Sequence, residues 1–193
     1  AVISLLATVE VAGDRLDETE LAMFLVQLLV AGNETTRNAL SGGLVAFAEH
    51  PDQWARLHAD PGLTGTAVDE VLRWTTPVVY FMRTTTRPVT IGGTSLPAGT
   101  PVVLHYLAAN RDEAEFGPTA AHFDIGRDPN HHLAFGSRPH FCLGAALARI
   151  ELRAILDALA ARFASIEPAG PVERSMSLVI AGVRRAPLVL REP

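Results

Sequence analysis

Apolar side chains recur at helical spacing over residues 17–49, the longest periodic stretch of the chain. Asp17 stands at the start of this stretch, and Glu20 follows three residues later in a variant of the capping box. The apolar positions beyond them cover nearly the whole circumference, which predicts burial on every side. These positions are Leu21, Phe24, Leu25, Leu28 and Leu29. We therefore expect one long, buried helix over residues 17–49.

Three shorter helices are predicted further along the chain. Pro51 is favoured at the first position of a helix, and the helical pattern continues to about residue 59. A third helix is expected over about residues 66–74, where it ends before Pro77, and a fourth over about residues 143–163.

Between the third and fourth helices the pattern changes to that of β-strands. Strand-forming residues are concentrated in residues 78–86, 89–91 and 101–105, which are separated by turns rich in glycine and proline. Residues 111–141 have few periodic apolar positions and are expected to form a long ordered loop, a kind of segment that is usually functional or disordered. Residues 175–190 are predicted to form a β-hairpin.

Composition excludes several classes of protein. With 193 residues, 48% of them hydrophobic, the chain has enough material to bury a core. The formal net charge of −5 argues against general nucleic-acid binding. The single cysteine, Cys142, excludes an internal disulfide and a multi-cysteine zinc site. The most apolar run, residues 21–32, is too short to cross a bilayer, so no membrane span and a cytoplasmic location are expected.

Cys142 stands immediately before the fourth predicted helix. A sulfur near a helix N-terminus meets unpaired backbone N–H groups and the positive end of the helix dipole, which favours the thiolate, the form that ligates a metal. Gly144 lets a flat group approach the backbone, and Phe135 offers an apolar wall. An isolated cysteine is more often buried and inert, so the surrounding residues have to decide between the two interpretations.

The segment around Cys142 resembles the haem-ligand loop of the cytochrome P450 family, F-x-x-G-x-x-x-C-x-G. Phe135, Cys142 and Gly144 match this pattern, and His140 stands where the family commonly has a His or Arg beside a haem propionate. Arg138 departs from the pattern, because the family has a glycine there, and the tight turn of the loop is expected to differ. The resemblance implies haem b as the cofactor and Cys142 as the ligand of its iron.

A second motif, Glu70-Val71-Leu72-Arg73, matches the E-x-x-R of the same family. Glu and Arg three residues apart share one helix face, and such a pair alone is usually solvated. In the family the pair is buried and braces the core on the haem side, which is the structural role that the resemblance implies for Glu70 and Arg73. Its third partner, an arginine in the family, corresponds to His122 here, so a looser brace is expected.

Residues 31–36, Ala-Gly-Asn-Glu-Thr-Thr, resemble a third family motif, A-G-x-[DE]-T-T. Ala31, Gly32 and Thr35 share one helix face, so two small residues open space one turn away from a hydroxyl group. The resemblance implies that this face borders the haem on its oxygen-binding side, with Thr35 as a hydrogen-bonding group and Glu34 as the proton supply. Without the other two motifs, we would prefer a close helix-packing site at Gly32 beside an exposed acid.

Weaker correspondences extend the cofactor site. Arg83 and His132 stand where the family has groups that bind haem propionates. The rival interpretation is metal ligation by His131, His132 and His140, but no Asp, Glu or Cys partner stands at ligand spacing.

The resemblance implies a monooxygenase that inserts one oxygen atom from O2 into a C–H bond of an apolar small molecule. Its electrons would come from a partner, a ferredoxin with its ferredoxin reductase, because the chain carries no flavin or nicotinamide motif. Arg138, Arg149 and Arg153 are candidates for a basic patch that binds such an acidic donor. A solvated helix face is the equal alternative for these arginines.

Finer resemblance indicates a substrate class. Residues 31–38, 46–54 and 73–78 are similar to actinobacterial members that oxidise sterol or fatty side chains, which implies a steroid or lipid side chain as substrate. This is an analogy at the level of a branch, since one fold serves many substrates. The apolar residues expected to line the pocket are Leu28, Val78, Val79, Met82, Val179 and Ile180.

The fold implied by the resemblance is the C-terminal part of the cytochrome P450 fold, mainly α with small β-sheets. Family members are considerably longer, and this chain starts at Ala1 without an initiator methionine. We therefore expect residues 1–193 to be the C-terminal portion of a single cytochrome P450 domain whose N-terminal half is absent. Two alternatives stay open, a truncated non-catalytic remnant and a haem-thiolate enzyme that uses peroxide.

Overall fold

The structure, a computed structural model, describes residues 2–193 and divides into two units. The first unit ends at Thr35, and the second is Thr36–Pro193. The helices, in chain order, are α1 (Val2–Leu6), α2 (Glu18–Glu49), α3 (Pro51–Ala59), α4 (Thr64–Thr75), α5 (Tyr106–Ala109), α6 (Glu113–Phe116) and α7 (Ala145–Arg162). Helices predominate, as the sequence predicted.

The strands are short and pair two by two. They are β1 (Tyr80–Thr84), β2 (Val89–Ile91), β3 (Thr94–Leu96), β4 (Pro101–His105), β5 (Ser165–Pro168), β6 (Glu173–Arg174), β7 (Val183–Arg185) and β8 (Leu188–Arg191). Strand β1 pairs with β4, β2 with β3, β5 with β8 and β6 with β7, all antiparallel. The prediction of a mainly α fold with small β-sheets is confirmed.

Local capping signals account for the good agreement of the predicted helices. The amide N–H of Glu20 donates to Asp17 Oδ1 at 2.8 Å, and the amide N–H of Asp17 donates to Glu20 Oε2 at 3.0 Å. This reciprocal pair satisfies two amide groups at the start of α2 and forms the expected capping box. Pro51 is the first residue of α3, and α4 ends at Thr75 with a left-handed Thr76 before Pro77.

The prediction that the first long helix is buried on every side is wrong. In the first unit Leu29 is 73% exposed, Phe24 and Leu28 are also exposed, and only Leu21 and Leu25 are half-buried. An apolar pattern around the whole circumference of a helix favours burial only where other parts of the protein pack against it, and the pattern itself does not supply them. No helix in residues 2–193 is long and apolar enough to span a bilayer.

The C-terminal segment also differs from the prediction of one hairpin over residues 175–190. Strands β6 and β7 do form a hairpin, in which the Ser175 amide donates to the Gly182 carbonyl at 3.0 Å. Strand β8 leaves that hairpin and pairs with β5, so that Ile166 lies opposite Leu190. Pro187 separates β7 from β8, and a proline without an amide hydrogen interrupts a ladder.

The second unit has a continuous apolar core that holds α3, α4, α7 and the end of α2 together. The ring of Phe47 meets Trp54 and Phe123 edge to face, with centroid distances of 5.1 and 5.3 Å. A Cβ on Gly43 would lie 2.7 Å from Val71 Cγ1, so this glycine permits the close approach of α2 and α4. Phe123 belongs to the segment 111–141, which is therefore an ordered loop, as expected, with the short helix α6 inside it.

Candidate functional site

Cys142 is exposed at the surface, shortly before the start of α7 at Ala145. Its backbone is held on both sides, because its N–H donates to the Phe135 carbonyl at 2.9 Å and its carbonyl accepts from the Ala145 N–H at 3.3 Å. The alternative of a buried, inert cysteine is therefore wrong. The sulfur is accessible on a backbone that the chain itself fixes.

Arg138 has φ of 55°, in the left-handed region that favours glycine. The prediction that this turn differs from that of the family stays a prediction. Arginine thus adopts a conformation that glycine adopts without steric cost. For a residue with a Cβ this costs about 1–2 kcal/mol. The departure from the motif appears in this structure as strain at one residue.

The change Arg138→Gly is expected to stabilise the protein. Glycine removes the strain but adds freedom to the unfolded chain, so the net gain in the free energy of unfolding should be about 0.5–1 kcal/mol. Thermal and urea unfolding of both proteins measure this difference. The matched control is Arg87→Gly, because Arg87 is exposed and is not among the described residues with positive φ. Equal effects of the two changes would contradict the strain at Arg138.

An open pocket of about 490 Å³ lies beside residues 132–144, the segment that carries Cys142 and that we call the ligand loop after its predicted role. Arg83, Tyr106 and His140 are among its lining residues, so two of the predicted propionate-binding groups face one space. Gly136, a few residues before His140, has φ of 69°, and a Cβ there would lie 3.1 Å from the His140 carbonyl oxygen. Because glycine has no Cβ, the backbone at position 136 can lie close to the backbone of His140. Tyr106 was not identified from the sequence.

His132 has its ring contacts inside the protein. Its side chain is 2% exposed, and its Nε2 lies 3.2 Å from Asp69 Oδ1. Its Nδ1 accepts from the amide N–H of Ala134 at 3.2 Å. Both ring nitrogens are therefore engaged by protein groups, and these contacts do not support the predicted binding of a propionate by His132.

Asp69 also accepts a hydrogen bond from Arg149 Nε at 2.8 Å. The Arg149 guanidinium lies 4.7 Å from the centroid of the Phe135 ring. Partial burial raises the pKa of Asp69, but the hydrogen bonds from His132 and Arg149 and the positive charge of Arg149 outweigh that effect and leave the pKa below its ordinary value. Asp69 is thus a carboxylate held ionised behind the ligand loop.

The motif pair Glu70 and Arg73 is completely buried, with both side chains 0% exposed. Arg73 Nε donates to Glu70 Oε2 at 2.7 Å, and Arg73 Nη2 donates to Oε1 at 2.8 Å. The other N–H groups of Arg73 reach the carbonyl oxygens of Asn110, Ala120 and His122 at 2.6 to 2.9 Å. The guanidinium is fully satisfied, so the alternative of a solvated surface pair is wrong.

The third partner of this pair is Arg127, which corrects the assignment to His122. Arg127 Nε donates to Glu70 Oε2 at 3.2 Å. His122 contributes only its backbone carbonyl, which accepts from Arg73 at 2.8 Å and from Arg127 at 3.1 Å. Position within a loop cannot be assigned by spacing alone, and the arginine stands five residues later than the motif comparison placed it. The predicted loosening of the brace is therefore wrong.

The motif over residues 31–36 lies in α2, mostly in the first unit. The hydroxyl of Thr35 donates to the Ala31 carbonyl at 2.7 Å. A Cβ built on Gly32 would meet nothing within 4 Å, so the alternative of a close packing site there is not supported. Glu34 is half-buried.

The segments expected to line a substrate pocket lie side by side in the second unit. Val78 and Ile180 form a β-bridge, and the Val79 amide donates to the Val179 carbonyl at 2.8 Å. Met82, on β1, is exposed. The sixth predicted pocket residue, Leu28, belongs to the first unit and is exposed there.

The three arginines proposed as a basic patch are not equally available. Arg149 pairs with Asp69, and Arg153 Nε lies 3.7 Å from Asp157 Oδ2 on the same helix. Carboxylates therefore offset two of the three charges, which weakens the case for a basic patch and favours the solvated-face interpretation for Arg153.

The residues around Cys142 fit a haem. Residues 2–193 contain no group of three His, Cys, Asp or Glu side chains that could hold a metal ion, so ligation by the three histidines finds no support. A single accessible thiol suits an iron whose other ligands come from a porphyrin. A Cβ on Gly144 would lie 4.0 Å from Cys142 Sγ, so the glycine leaves the space beside the sulfur free of a side chain. Arg83 and His140 supply polar donors for carboxylates.

Comparison with known proteins gives concordant matches. The sequence profile described as Cytochrome P450 matches residues 62–188. The methyl-branched lipid omega-hydroxylase of Mycobacterium tuberculosis is 44% identical over 187 residues, which is 96% of this chain and 44% of that protein. The steroid C26-monooxygenase of Mycolicibacterium smegmatis is 39% identical over 184 residues, 95% of this chain and 42% of that protein. This chain therefore spans less than half the length of these relatives.

Solved structures agree with the sequence matches. The cytochrome P450 CYP108D1 of Novosphingobium aromaticivorans superposes with a TM-score of 0.92 at 38% identity, over 100% of this chain and 46% of that one. The cytochrome P450 CYP109Q5 of Chondromyces apiculatus gives a TM-score of 0.90 at 40% identity, over 98% and 49%. The similarity thus extends over both the sequence and the fold of this chain.

Proposed function

Because this chain belongs to the cytochrome P450 family, we propose that it is the haem-binding part of a haem-thiolate monooxygenase, residues 1–193 being the C-terminal portion of the domain. The observation that carries this proposal is the accessible sulfur of Cys142 on a loop fixed by the Phe135–Cys142 hydrogen bond of 2.9 Å. The pocket lined by Arg83 and His140 supports it, because both groups can bind carboxylates.

Each residue of the loop has a distinct task in this proposal. Cys142 Sγ would hold the iron, Phe135 would form the apolar wall, and Gly144 would keep the space beside the sulfur clear. Arg83 and His140 would bind the propionates. When bound, the haem supplies the oxidation, insertion of one oxygen atom from O2 into a C–H bond, and a thiolate ligand favours O–O cleavage.

Residues 31–35 have the second task, proton handling. The hydrogen of the Thr35 hydroxyl is used on the Ala31 carbonyl at 2.7 Å, so the oxygen is left with lone pairs that accept a hydrogen bond. We assign Glu34 as the proton source and Thr35 Oγ as the hydrogen-bond acceptor that would hold the donor of that proton in place. Ala31 and Gly32 would keep the adjoining space open, consistent with the free space around Gly32.

For the substrate we propose an apolar small molecule with an aliphatic chain, of the lipid or steroid class. The names of two relatives, a methyl-branched lipid omega-hydroxylase and a steroid C26-monooxygenase, support this class. The apolar pair of segments at Val78–Val79 and Val179–Ile180, with the exposed Met82, would face it. Electrons would come from a ferredoxin and its reductase.

The spectrum of the carbon monoxide complex tests the proposal. The purified protein, supplied with haem and reduced, should show the red-shifted band of a thiolate-ligated iron. A spectrum of imidazole ligation, or failure to retain a tetrapyrrole, would contradict it. Retention of haem without turnover of any lipid or steroid would favour the non-catalytic alternative.

Replacing Thr35 with alanine should uncouple electron use from product. Without the hydroxyl the proton path is interrupted, and the amount of product per reductant consumed should fall on the order of tenfold or more. The measurement is the ratio of product formed to reductant oxidised. The matched control is Thr36→Ala, the neighbouring hydroxyl to which we assign no part in proton transfer. Unchanged coupling in the Thr35 variant would favour the peroxide-using alternative.

A further inference from the structure

A closed ring of contacts joins α4 and α7 to the ligand loop, and Asp69, where the contacts meet, is not among the residues assigned to the haem. Asp69 Oδ1 accepts from Arg149 Nε at 2.8 Å and lies 3.2 Å from His132 Nε2. His132 in turn accepts the Ala134 N–H on Nδ1 at 3.2 Å. One carboxylate oxygen on α4 thus joins α7 to the start of the ligand loop.

The ring closes on the backbone of the sulfur ligand. Ala134 is followed by Phe135, whose carbonyl accepts the Cys142 N–H at 2.9 Å. The Phe135 ring lies against both partners of Asp69, 5.7 Å from the His132 ring and 4.7 Å from the Arg149 guanidinium. Cys142 leads directly into α7, the helix that carries Arg149.

The contacts of His132 fix its tautomer. Because Nδ1 accepts an amide hydrogen, it carries no proton of its own, and the neutral ring must then carry its proton on Nε2. That Nε2–H donates to the Asp69 carboxylate. Without the carboxylate, a side chain that is 2% exposed would keep an N–H group with no acceptor, which is costly inside a protein.

We propose that Asp69 is a positioning residue for the sulfur ligand: through His132 and Arg149 it fixes Phe135, and through Phe135 the backbone of Cys142. Where it concerns iron, this rests on the proposed function, but the ring of contacts belongs to the polypeptide itself. The adjacent Glu70 serves a different segment, since it binds Arg73 and Arg127. Two successive carboxylates of α4 therefore hold two successive parts of the segment 111–141.

The test replaces Asp69 with alanine and with asparagine in the haem-loaded protein. Asp69→Ala should speed amide exchange in residues 133–136 several-fold, shift the reduction potential and lower haem retention by roughly tenfold, as loss of an outer-shell partner does. Asp69→Asn retains an oxygen acceptor without the charge and should lie between wild type and alanine. The matched control is Glu167→Gln, which removes an ion pair of similar length, 2.8 Å to Arg191, far from the loop in the chain.

A merely structural role would lower stability without moving the potential or the thiolate band. Unchanged potential and unchanged exchange in Asp69→Ala, relative to Glu167→Gln, would overturn the inference. If Asp69→Ala does not fold, His132→Asn replaces it, because an asparagine oxygen can accept near the Nδ1 position but does not reach Asp69. Wild-type exchange and potential in His132→Asn would also overturn the inference. A wild-type protein without a thiolate band refutes the proposed function alone, since exchange in residues 133–136 still tests the ring.

Discussion

Replacing Cys142 with serine should abolish the red-shifted carbon monoxide band and, with it, monooxygenase turnover. The hydroxyl of serine is a much weaker ligand than a thiolate, and residues 2–193 offer no cluster of ligating side chains in its place. Haem retention should fall by at least the roughly 10- to 100-fold that loss of even an outer-shell partner causes. The measurements are the difference spectrum and a titration of haem into the apoprotein.

The same variant should keep its fold, which separates a ligand from a structural residue. Because Cys142 is exposed, the free energy of unfolding of the apoprotein should change by no more than about 0.5 kcal/mol. Urea unfolding without haem is the appropriate control, since bound haem would itself stabilise the wild type. A serine variant that retains the band refutes Cys142 as the ligand, and one that fails to fold refutes the assignment of a purely ligating role.

Replacing Glu70 with alanine should have the largest effect on stability. In the described structure its carboxylate accepts from the Arg73 guanidinium twice, from Arg127, from the Asn130 side chain and from the Asp124 backbone. Removing one member of a buried ion pair leaves charge without compensation and costs roughly 3–5 kcal/mol. For a protein of this size that corresponds to a fall in Tm of about 10 °C.

The control for Glu70 is Glu167, which pairs with Arg191 at 2.8 Å but is exposed. Glu167→Ala should change Tm little, because exposed ion pairs contribute little to stability. Glu70→Gln should fall between the two, since an amide retains one acceptor oxygen. Equal stabilities of Glu70→Ala and Glu167→Ala would show that burial does not give the motif pair its importance.

Local signals made most of the helices predictable. The caps of α2 and the proline that starts α3 lie within a few residues of the boundaries they fix, so the sequence contains them directly. The short helices α5 and α6, of four residues each, were not predicted, because so short a helix has no periodic pattern and depends on its surroundings.

The residues of the candidate site also fall into two groups, those that the sequence identified from a short motif and those that it did not. Cys142, Glu70 and Arg73 belong to short motifs whose spacing is set by one loop or one helix, and the sequence identified them. Arg127 and Asp69 act across long separations, on Glu70 and on His132, and no local pattern marks them. Which side chain of a loop turns inward depends on the folded path of the loop, which spacing does not encode.

Arg73 recognises the segment after β4 by its main chain. Three of its N–H groups end on carbonyl oxygens, and every amino acid has such an oxygen. The exposed side chain at position 122 can therefore vary during evolution without weakening these hydrogen bonds of Arg73, provided that the path of the backbone is kept. Among related proteins we therefore expect the residue type at position 122 to vary, while the carbonyl oxygen at that position keeps its hydrogen bond with Arg73.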